Sequence, residues 1–435
     1  MPSLAVVLTI ALAQAGATPP APAEPPAAAS ATTEPAAPGA AGTIATGAPA
    51  NAAEPPKPNE FHAAVPVAAA PGAEDPTTKY IDRSGKQPAV GALTVKSSKP
   101  WWERITLSGF ARLGVFYTFP LQDETLVGGN GGFRVADFRL SAEFRPWEDV
   151  TAYTSVELSA PIADPNDPLV GTRVVSLRDA WVQYQVCSGF IIRAGQFRPP
   201  YYAEMLLSDG AIPFVSRSVL AGGLHPPEAY ATNALATDRQ VGLQVHSKRL
   251  GSTFGFRYAL GVFNGNGQNQ LLNDNNAPMP VGRVEVDFKE HVTLGLNAYY
   301  NVRAEGTRPT RLYTNQLAYG ADLEAHGYGL SGLVAFLGKN SSFNYGGLSP
   351  ESAMGVLGQV RYFHEKTGLE GAARVAWYEP SSAQRDDQVL EIAAMIAWRP
   401  FELPFRVLLQ YTHRGEESQV SFPNDGVDLM FHAVW

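Results

Sequence analysis

Apolar and polar residues alternate along most of the chain from Trp101 onward. In DFRLSAEFR, the apolar residues Phe138, Leu140, Ala142 and Phe144 stand at every second position, with polar or charged residues between them. The segments VTAYTSVEL, FGFRYALGV and FRVLLQYTHR repeat the pattern. Alternation over about ten residues predicts strands with one apolar and one polar face. Lipid is the predicted cover for the apolar faces, since the chain offers no convincing amphipathic helix to bury them.

The alternation predicts about sixteen strands, with fourteen or eighteen left open. The predicted strands cover residues 104–118, 132–145, 148–160, 174–186, 190–198, 238–247, 252–263, 281–289, 291–303, 312–325, 328–338, 352–363, 368–378, 388–399, 404–414 and 426–435. Their connections alternate between long polar links, such as NGNGQNQLLNDNNAP, and short turns, such as HEKTG. Outer-membrane barrels place long loops outside the cell and short turns in the periplasm. The sequence therefore predicts an all-β fold, a transmembrane antiparallel β-barrel over residues 101–435.

The last ten residues, GVDLMFHAVW, follow the same alternation and end on Trp435. Chain ends usually fray, so a soluble domain has little reason to finish on an aromatic residue in an alternating run. Tryptophan is enriched where a membrane meets water. This segment is therefore predicted to be the strand that closes the barrel.

The N-terminal part of the chain has a different composition. Residues 1–13, MPSLAVVLTIALA, form an apolar run that ends in a small-x-small site, which predicts a secretory signal peptide. Residues 14–100 are rich in alanine and proline and cannot bury a core. They are predicted to be a disordered linker in the periplasm that precedes the barrel.

Composition narrows the class of protein further. Charged residues make up 17% of the chain, below the roughly 25% of a typical soluble domain. The formal net charge of -8 argues against a nucleic-acid partner, and the single Cys187 excludes an internal disulfide. Asp164 and Asp167 in ADPNDPLVG and Asp274 in LLNDNNAP could bind calcium, but aspartate, asparagine and proline are also ordinary turn residues. No metal and no cofactor is predicted.

One connection is far longer than the others. About forty residues separate RAGQFRPP from TDRQVGLQV, and a loop of that length is usually functional. It is the third long link, and we predict that it folds into the barrel and narrows the pore; a mobile external loop is the alternative. The predicted constriction residues are Tyr201, Tyr202, Glu204, Asp209, Arg217 and Glu228.

Alternation also predicts which charged side chains face the pore. The predicted pore-lining basic residues are Arg139, Arg193, Arg257, Arg361, Arg374 and Arg406. Acidic residues share the same face, namely Asp137, Glu143, Glu157, Asp179, Asp322, Glu324, Glu370 and Glu391. An anion-selective pore needs an excess of positive charge at its narrowest ring, whereas a basic wall opposite an acidic loop is typical of a general diffusion pore.

Several segments resemble the phosphate-selective porin O and P family. The resemblance rests on RAGQFRPPY, FVSRS, DRQVGLQV, YALGVFNGNG and VGRVEVDF, and it extends over most of residues 101–435. It implies a homotrimer of sixteen-stranded barrels in the outer membrane of a Gram-negative bacterium. It also implies passage of phosphate or related anions through arginine-lined pores.

These observations predict a passive outer-membrane channel for small hydrophilic solutes or anions, in contact with outer-membrane lipid and with no nucleic-acid partner. A general non-selective porin is one alternative, and a barrel that anchors a structural envelope tether is another. An enzyme is disfavoured, because the histidines are scattered without the paired motif that nucleophilic catalysis needs. Those histidines include His246, His326, His413 and His432.

Overall fold

The computed structural model describes residues 101–119, 132–163, 171–223, 234–270, 272–306, 310–344, 349–400, 404–416 and 425–435. The predicted signal peptide, residues 1–13, and the predicted linker, residues 14–100, lie outside these described residues. Within the described ranges, no helix is long and apolar enough to cross a membrane.

Sixteen strands make up most of the described chain. They are β1 (Ile105–Phe119), β2 (Gly132–Trp147), β3 (Val150–Ala163), β4 (Gly171–Cys187), β5 (Phe190–Phe197), β6 (Gln240–His246), β7 (Phe254–Phe263), β8 (Met279–Phe288), β9 (Val292–Glu305), β10 (Leu312–Gly327), β11 (Leu330–Phe343), β12 (Glu351–His364), β13 (Leu369–Glu379), β14 (Val389–Trp398), β15 (Phe405–Glu416) and β16 (Asp425–Val434). A 3-10 turn, Trp101–Arg104, precedes β1. Two short helices, α1 (Ala203–Leu206) and α2 (Val219–Gly222), lie between β5 and β6.

The strands form one closed antiparallel barrel. Each strand pairs with its neighbours in the sequence, and β1 pairs with β16 to complete the ring. Closure satisfies the backbone hydrogen bonds of the first and last strands, which lipid could not do. The predicted all-β class, the antiparallel barrel and the count of sixteen strands are confirmed.

The two faces of the barrel wall differ as the alternation requires. Along β14, Leu390, Ile392 and Ile396 point outward and are exposed, while Glu391 and Met395 point inward and are buried. The same burial pattern recurs along β8 and β12. An exposed apolar band around a ring of strands is the surface that lipid covers.

The seam between the first and last strands depends on close packing at one glycine. Gly109 N donates a hydrogen bond to Trp435 O at 2.9 Å, and Trp435 N donates to Gly109 O at 3.0 Å. A Cβ atom on Gly109 would lie 2.7 Å from the Trp435 ring, so only glycine leaves room for that indole. The C-terminal segment is thus the closing strand.

Short turns connect the strands at the end of the barrel opposite the long loops. Between β10 and β11, Tyr328 and Gly329 have φ values of 51° and 79°. Between β8 and β9, Lys289 and Glu290 have φ values of 48° and 62°. Two consecutive central residues with positive φ are the signature of tight hairpin turns whose twist matches that of paired strands.

Candidate pore and its third loop

We call the link between β5 and β6, residues 198–239, the third loop; its described residues, 198–223 and 234–239, contact the inside of the barrel. Tyr201 Oη donates a hydrogen bond to Tyr319 O of β10 at 3.2 Å. Val215 N, further along the loop, donates to Gln410 Oε1 of β15 at 2.8 Å. A largely buried segment that bonds to well-separated strands of a closed ring lies in its lumen.

Apolar contacts hold the described loop against the wall at two places. The Tyr201 ring meets the Tyr299 ring edge to face, with centroids 4.8 Å apart. Leu220 of α2 fills the space over Gly355 of β12, where a Cβ atom would lie 2.8 Å from Leu220 Cγ. Tyr201 therefore fixes the base of the loop, where it leaves β5, and Leu220 fixes the loop to β12 further along the chain.

Glu204 connects two segments of the loop, one around Tyr202 and one around Ser218. Ser218 N donates to Glu204 Oε1 at 2.8 Å, and Tyr202 Oη donates to Glu204 Oε2 at 2.9 Å. Tyr202 itself has a φ of 63°, a conformation that costs a non-glycine residue about 1 to 3 kcal/mol. The surrounding bonds to Glu204 offset that cost and fix where the loop turns into α1.

A continuous charge cluster lies beside the loop on the wall of β2, β3 and β4. It consists of Arg139, Arg178, Arg198, Arg217, Arg239, Glu157, Asp179, Asp209 and Asp238. The carboxylate of Asp209 accepts from Arg139 at 2.6 Å and from Arg217 at 2.7 Å. Arg198 donates to the same carboxylate at 3.1 Å. With five arginines and four carboxylates, the cluster carries one excess positive charge.

The two loop carboxylates of this cluster are held ionised. Burial alone would raise the pKa of Asp209, but Arg198, Arg139 and Arg217 outweigh it and keep that pKa well below its usual range. Burial opposes ionisation of Asp238 too, and Arg239 with Arg198 nevertheless lowers its pKa to about 2. Both groups therefore stabilise the folded loop as anions.

We expect the barrel to lose stability in acid through these groups. An unfolded aspartate has a pKa of about 3.9, while folded Asp238 remains ionised down to about pH 2. As the pH falls, the unfolded state takes up the proton first, so stability present above about pH 4 is lost toward about pH 2. The temperature at which the refolded barrel loses its β-sheet circular dichroism should be flat from about pH 8 to pH 5 and then fall.

The matched control for the acid series is Asp238→Asn. This variant has one titrating carboxylate fewer, so its melting temperature should fall less steeply between about pH 4 and pH 2 than that of the unaltered protein. Equal slopes in the two proteins would contradict a stabilising role for the Asp238 anion.

Three wall arginines bind the backbone of the loop between Asp209 and Arg217. Arg112 Nη1 donates to Val215 O at 2.9 Å. Arg374 Nη1 donates to Ser216 O at 2.9 Å, and Arg406 Nη2 donates to Ile212 O at 2.8 Å. These guanidinium groups come from β1, β13 and β15, so they attach the loop to the part of the wall away from its base.

The predicted pore-lining arginines all lie on the inward face, in three settings. Arg139, Arg374 and Arg406 contact the third loop. Arg257 pairs with Glu285 at 2.8 Å and Arg361 pairs with Glu370 at 2.9 Å. Arg193 stacks on Trp181, with Cζ 4.1 Å from the ring centroid, and donates to Gln183.

Five of the six predicted constriction residues lie in the described loop, and the structure buries them there. They are Tyr201, Tyr202, Glu204, Asp209 and Arg217. Glu228 lies outside the described residues. Sequence reasoning missed Arg112 and Arg283, although the alternation of β1 and β8 places both on the inward face. It also missed Arg198 and Arg239, which lie just outside strands, where alternation gives no direction.

Several inward-facing side chains are packed and shielded from solvent in the described part of the barrel. Arg139, Arg257 and Arg374 are each no more than 1% exposed. Leu357 of β12 and Gln410 of β15 are equally buried. The third loop and neighbouring side chains therefore exclude solvent from these parts of the inner wall.

Among the described residues, no group of three or more histidine, cysteine, aspartate or glutamate side chains is arranged to hold a metal ion. The constellation consists of arginines, carboxylates and backbone carbonyl groups. Such an arrangement supplies an electrostatic field and hydrogen bonds to ions and solutes rather than a reactive group.

The sequence profile of the phosphate-selective porin O and P family matches residues 111–325. The resemblance inferred from the sequence motifs is confirmed over that stretch. The match contains β2 to β9 and the third loop, together with parts of β1 and β10. No curated protein matches the chain significantly.

Solved outer-membrane channels share the fold. The anion-selective porin from Comamonas acidovorans superposes with a TM-score of 0.55 at 11% identity, covering 76% of this chain and 99% of that porin. The channel DcaP of Acinetobacter baumannii gives 0.51 at 16% identity, covering 76% and 97%. OmpF of Salmonella typhi, in complex with daunomycin, gives 0.51 at 14% identity with the same coverages. At such identities the likeness concerns the fold alone.

Proposed function

We propose that this barrel, which matches the phosphate-selective porin O and P family over residues 111–325, is a passive diffusion channel with weak charge selectivity. Its place is the outer membrane of a Gram-negative bacterium, and its solutes are small and hydrophilic. The family match and the closed barrel support a channel rather than an enzyme. Transport down a gradient then needs no chemical step.

The pairing of lumen arginines with carboxylates carries the proposal of weak selectivity. Arg374 lies 2.8 Å from Glu391, and Arg406 lies 3.1 Å from Glu370. Arg139, Arg257 and Arg361 are paired with carboxylates in the same way. Each pair cancels most of the field that a lone guanidinium would present to a passing ion. The predicted basic residues therefore do not add up to a strongly positive pore.

Reversal potentials test this selectivity. The refolded protein in a planar bilayer, under a gradient of potassium chloride, should give a reversal potential close to zero, because the paired charges favour neither ion. A potential near that of chloride, together with block of the chloride current by added phosphate, would support the second candidate, a phosphate-selective pore. That candidate is favoured by the family match itself.

The outer face supports a homotrimer. Ala142, Thr154 and Ala180 lie side by side on β2, β3 and β4 and point toward the lipid. The outward positions of the opposite wall carry larger apolar residues, such as Leu296 of β9. A shallow row of small side chains, with a hydroxyl among them, suits close packing against another copy of the chain.

Thr154→Trp is therefore expected to dissociate the assembly. A bulky ring on this row would hold the subunits apart, so the mass of the detergent-solubilised protein, from light scattering, should drop from three chains to one. Leu296→Trp, on the opposite wall, is the control and should leave the mass unchanged. A Thr154→Trp protein that keeps the mass of the unaltered protein would contradict this interface.

The N-terminal linker is proposed to be a periplasmic spacer that the channel does not need. Deletion of residues 14–98 should leave single-channel conductance unchanged, because β1 begins at Ile105. A barrel that mainly anchors an envelope tether would instead show no conductance, and the deletion would cause an envelope defect in cells.

A further inference from the structure

The middle of the third loop is held differently from its two flanks. We call residues 210–216 the loop tip. Its flanks are fixed by apolar packing against the wall and by the bonds of Glu204. The tip crosses to β1, β13 and β15, where three arginines donate to its carbonyl oxygens, at Ile212, Val215 and Ser216.

The arginines that hold the tip also hold carboxylates. Arg112 Nε donates to Asp137 at 2.6 Å, while Arg374 and Arg406 are paired with Glu391 and Glu370. Only their remaining N–H groups reach the tip, and there they meet neutral carbonyl oxygens. Hydrogen bonds from a guanidinium to an anion are stronger than those to a neutral acceptor. An anion in the lumen can therefore compete with the tip for these N–H groups.

Apolar packing also attaches the tip to the wall. Phe214 is buried on the wall among Met395, Leu408 and Met430, and Arg374 Cζ lies 4.5 Å from the centre of its ring. The residues that flank the tip, Asp209 and Arg217, remain joined to each other at 2.7 Å. The tip can thus leave the wall while its flanks stay in place.

We propose that the loop tip is a gate that closes the lumen and that anions open by replacing its carbonyl groups on Arg112, Arg374 and Arg406. This inference rests on the proposed function as a channel. It accounts for two observations together: inward-facing arginines that bind backbone instead of solvent, and the burial of these arginines and of the apolar wall residues around Phe214.

Single-channel recording with inorganic phosphate tests the gate. The refolded full-length protein is recorded in potassium chloride with and without phosphate, at constant ionic strength. We expect discrete closings, and a several-fold rise in the fraction of time spent open when phosphate is present. Simple block of the pore would act differently, because it lowers the current through each open channel rather than the closed fraction.

A variant with residues 210–216 replaced by two glycines provides the main comparison. Two glycines give three Cα–Cα steps and span up to about 10 Å, and the ion pair between Asp209 and Arg217 should help to hold the shortened loop. This variant should refold and stay open, and added phosphate should not change its open fraction. If the unaltered protein conducts steadily, with the same open fraction as this variant and no response to phosphate, the gate is refuted while the proposed channel function is retained. If the variant refolds but conducts nothing, the proposed channel function fails, and the gate fails with it.

Phe214→Ala tests the same inference without changing the length of the loop. The substitution removes the apolar hold on the tip, so the open fraction in the absence of phosphate should rise several-fold. Phe256→Ala, on the lipid-facing side of β7, is the matched control and should gate like the unaltered protein. An open fraction that Phe214→Ala leaves unchanged would overturn the gate.

Discussion

Replacement of Asp209 by asparagine is expected to shift the pore toward anions and to weaken the hold on the third loop. Its carboxylate accepts hydrogen bonds from Arg139, Arg198 and Arg217. The substitution raises the excess charge of the cluster from one to two, inside a low-dielectric wall that focuses the field. The permeability ratio of chloride to potassium should therefore increase several-fold.

The same substitution should lower stability. Removal of one partner from a buried ion pair leaves uncompensated charge and costs about 3 to 5 kcal/mol. Asparagine keeps one acceptor oxygen, so we expect a loss of about 3 kcal/mol. Thermal or urea unfolding of the refolded barrel measures it, and the reversal potential in a potassium chloride gradient measures the change in selectivity.

Glu290→Gln is the control for Asp209→Asn. Glu290 lies in the turn between β8 and β9, with 43% of its side chain exposed, and its nearest arginine is 3.7 Å away. Its neutralisation should leave both the reversal potential and the unfolding transition unchanged. If Asp209→Asn shifts neither quantity, the Asp209 carboxylate lies outside the ion path and contributes little to the fold.

Gly195→Ala is expected to disrupt the barrel next to the base of the third loop. Gly195 has a φ of 132°, which residues with a side chain rarely adopt. A Cβ atom there would overlap the carbonyl oxygen of Ala180 and lie 2.7 Å from Trp181 Cα. Backbone strain and the steric overlap together should cost on the order of 3 kcal/mol.

The measurement is the yield of refolded barrel and its unfolding transition, with Gly358→Ala as the matched control. Gly358 lies on β12, has no positive φ, and would place a Cβ atom in open space. That variant should refold as well as the unaltered protein. A Gly195→Ala barrel as stable as the Gly358→Ala barrel would mean that β4 and β5 can separate at this point without cost.

The sequence by itself determined the strands, their faces and the type of fold. Alternation is a local property, because consecutive side chains of a strand point to opposite sides whatever the strand pairs with. The inward direction of Arg139 and Arg374 follows from the alternation alone, and so does the lipid-facing direction of Leu390. Turn and loop lengths then order the strands into a ring, since antiparallel neighbours need only short connections.

The tertiary structure alone decided which groups meet in the lumen. Asp209 and Arg139 are 70 residues apart, and Arg406 and Ile212 are 194 residues apart, yet each pair is in contact. Alternation predicts only that a side chain points inward. The partner of that side chain depends on the closure of the ring and on the path of the loop across the lumen. For this reason the sequence indicated a row of pore-lining arginines, whereas the structure attaches three of those arginines to the third loop.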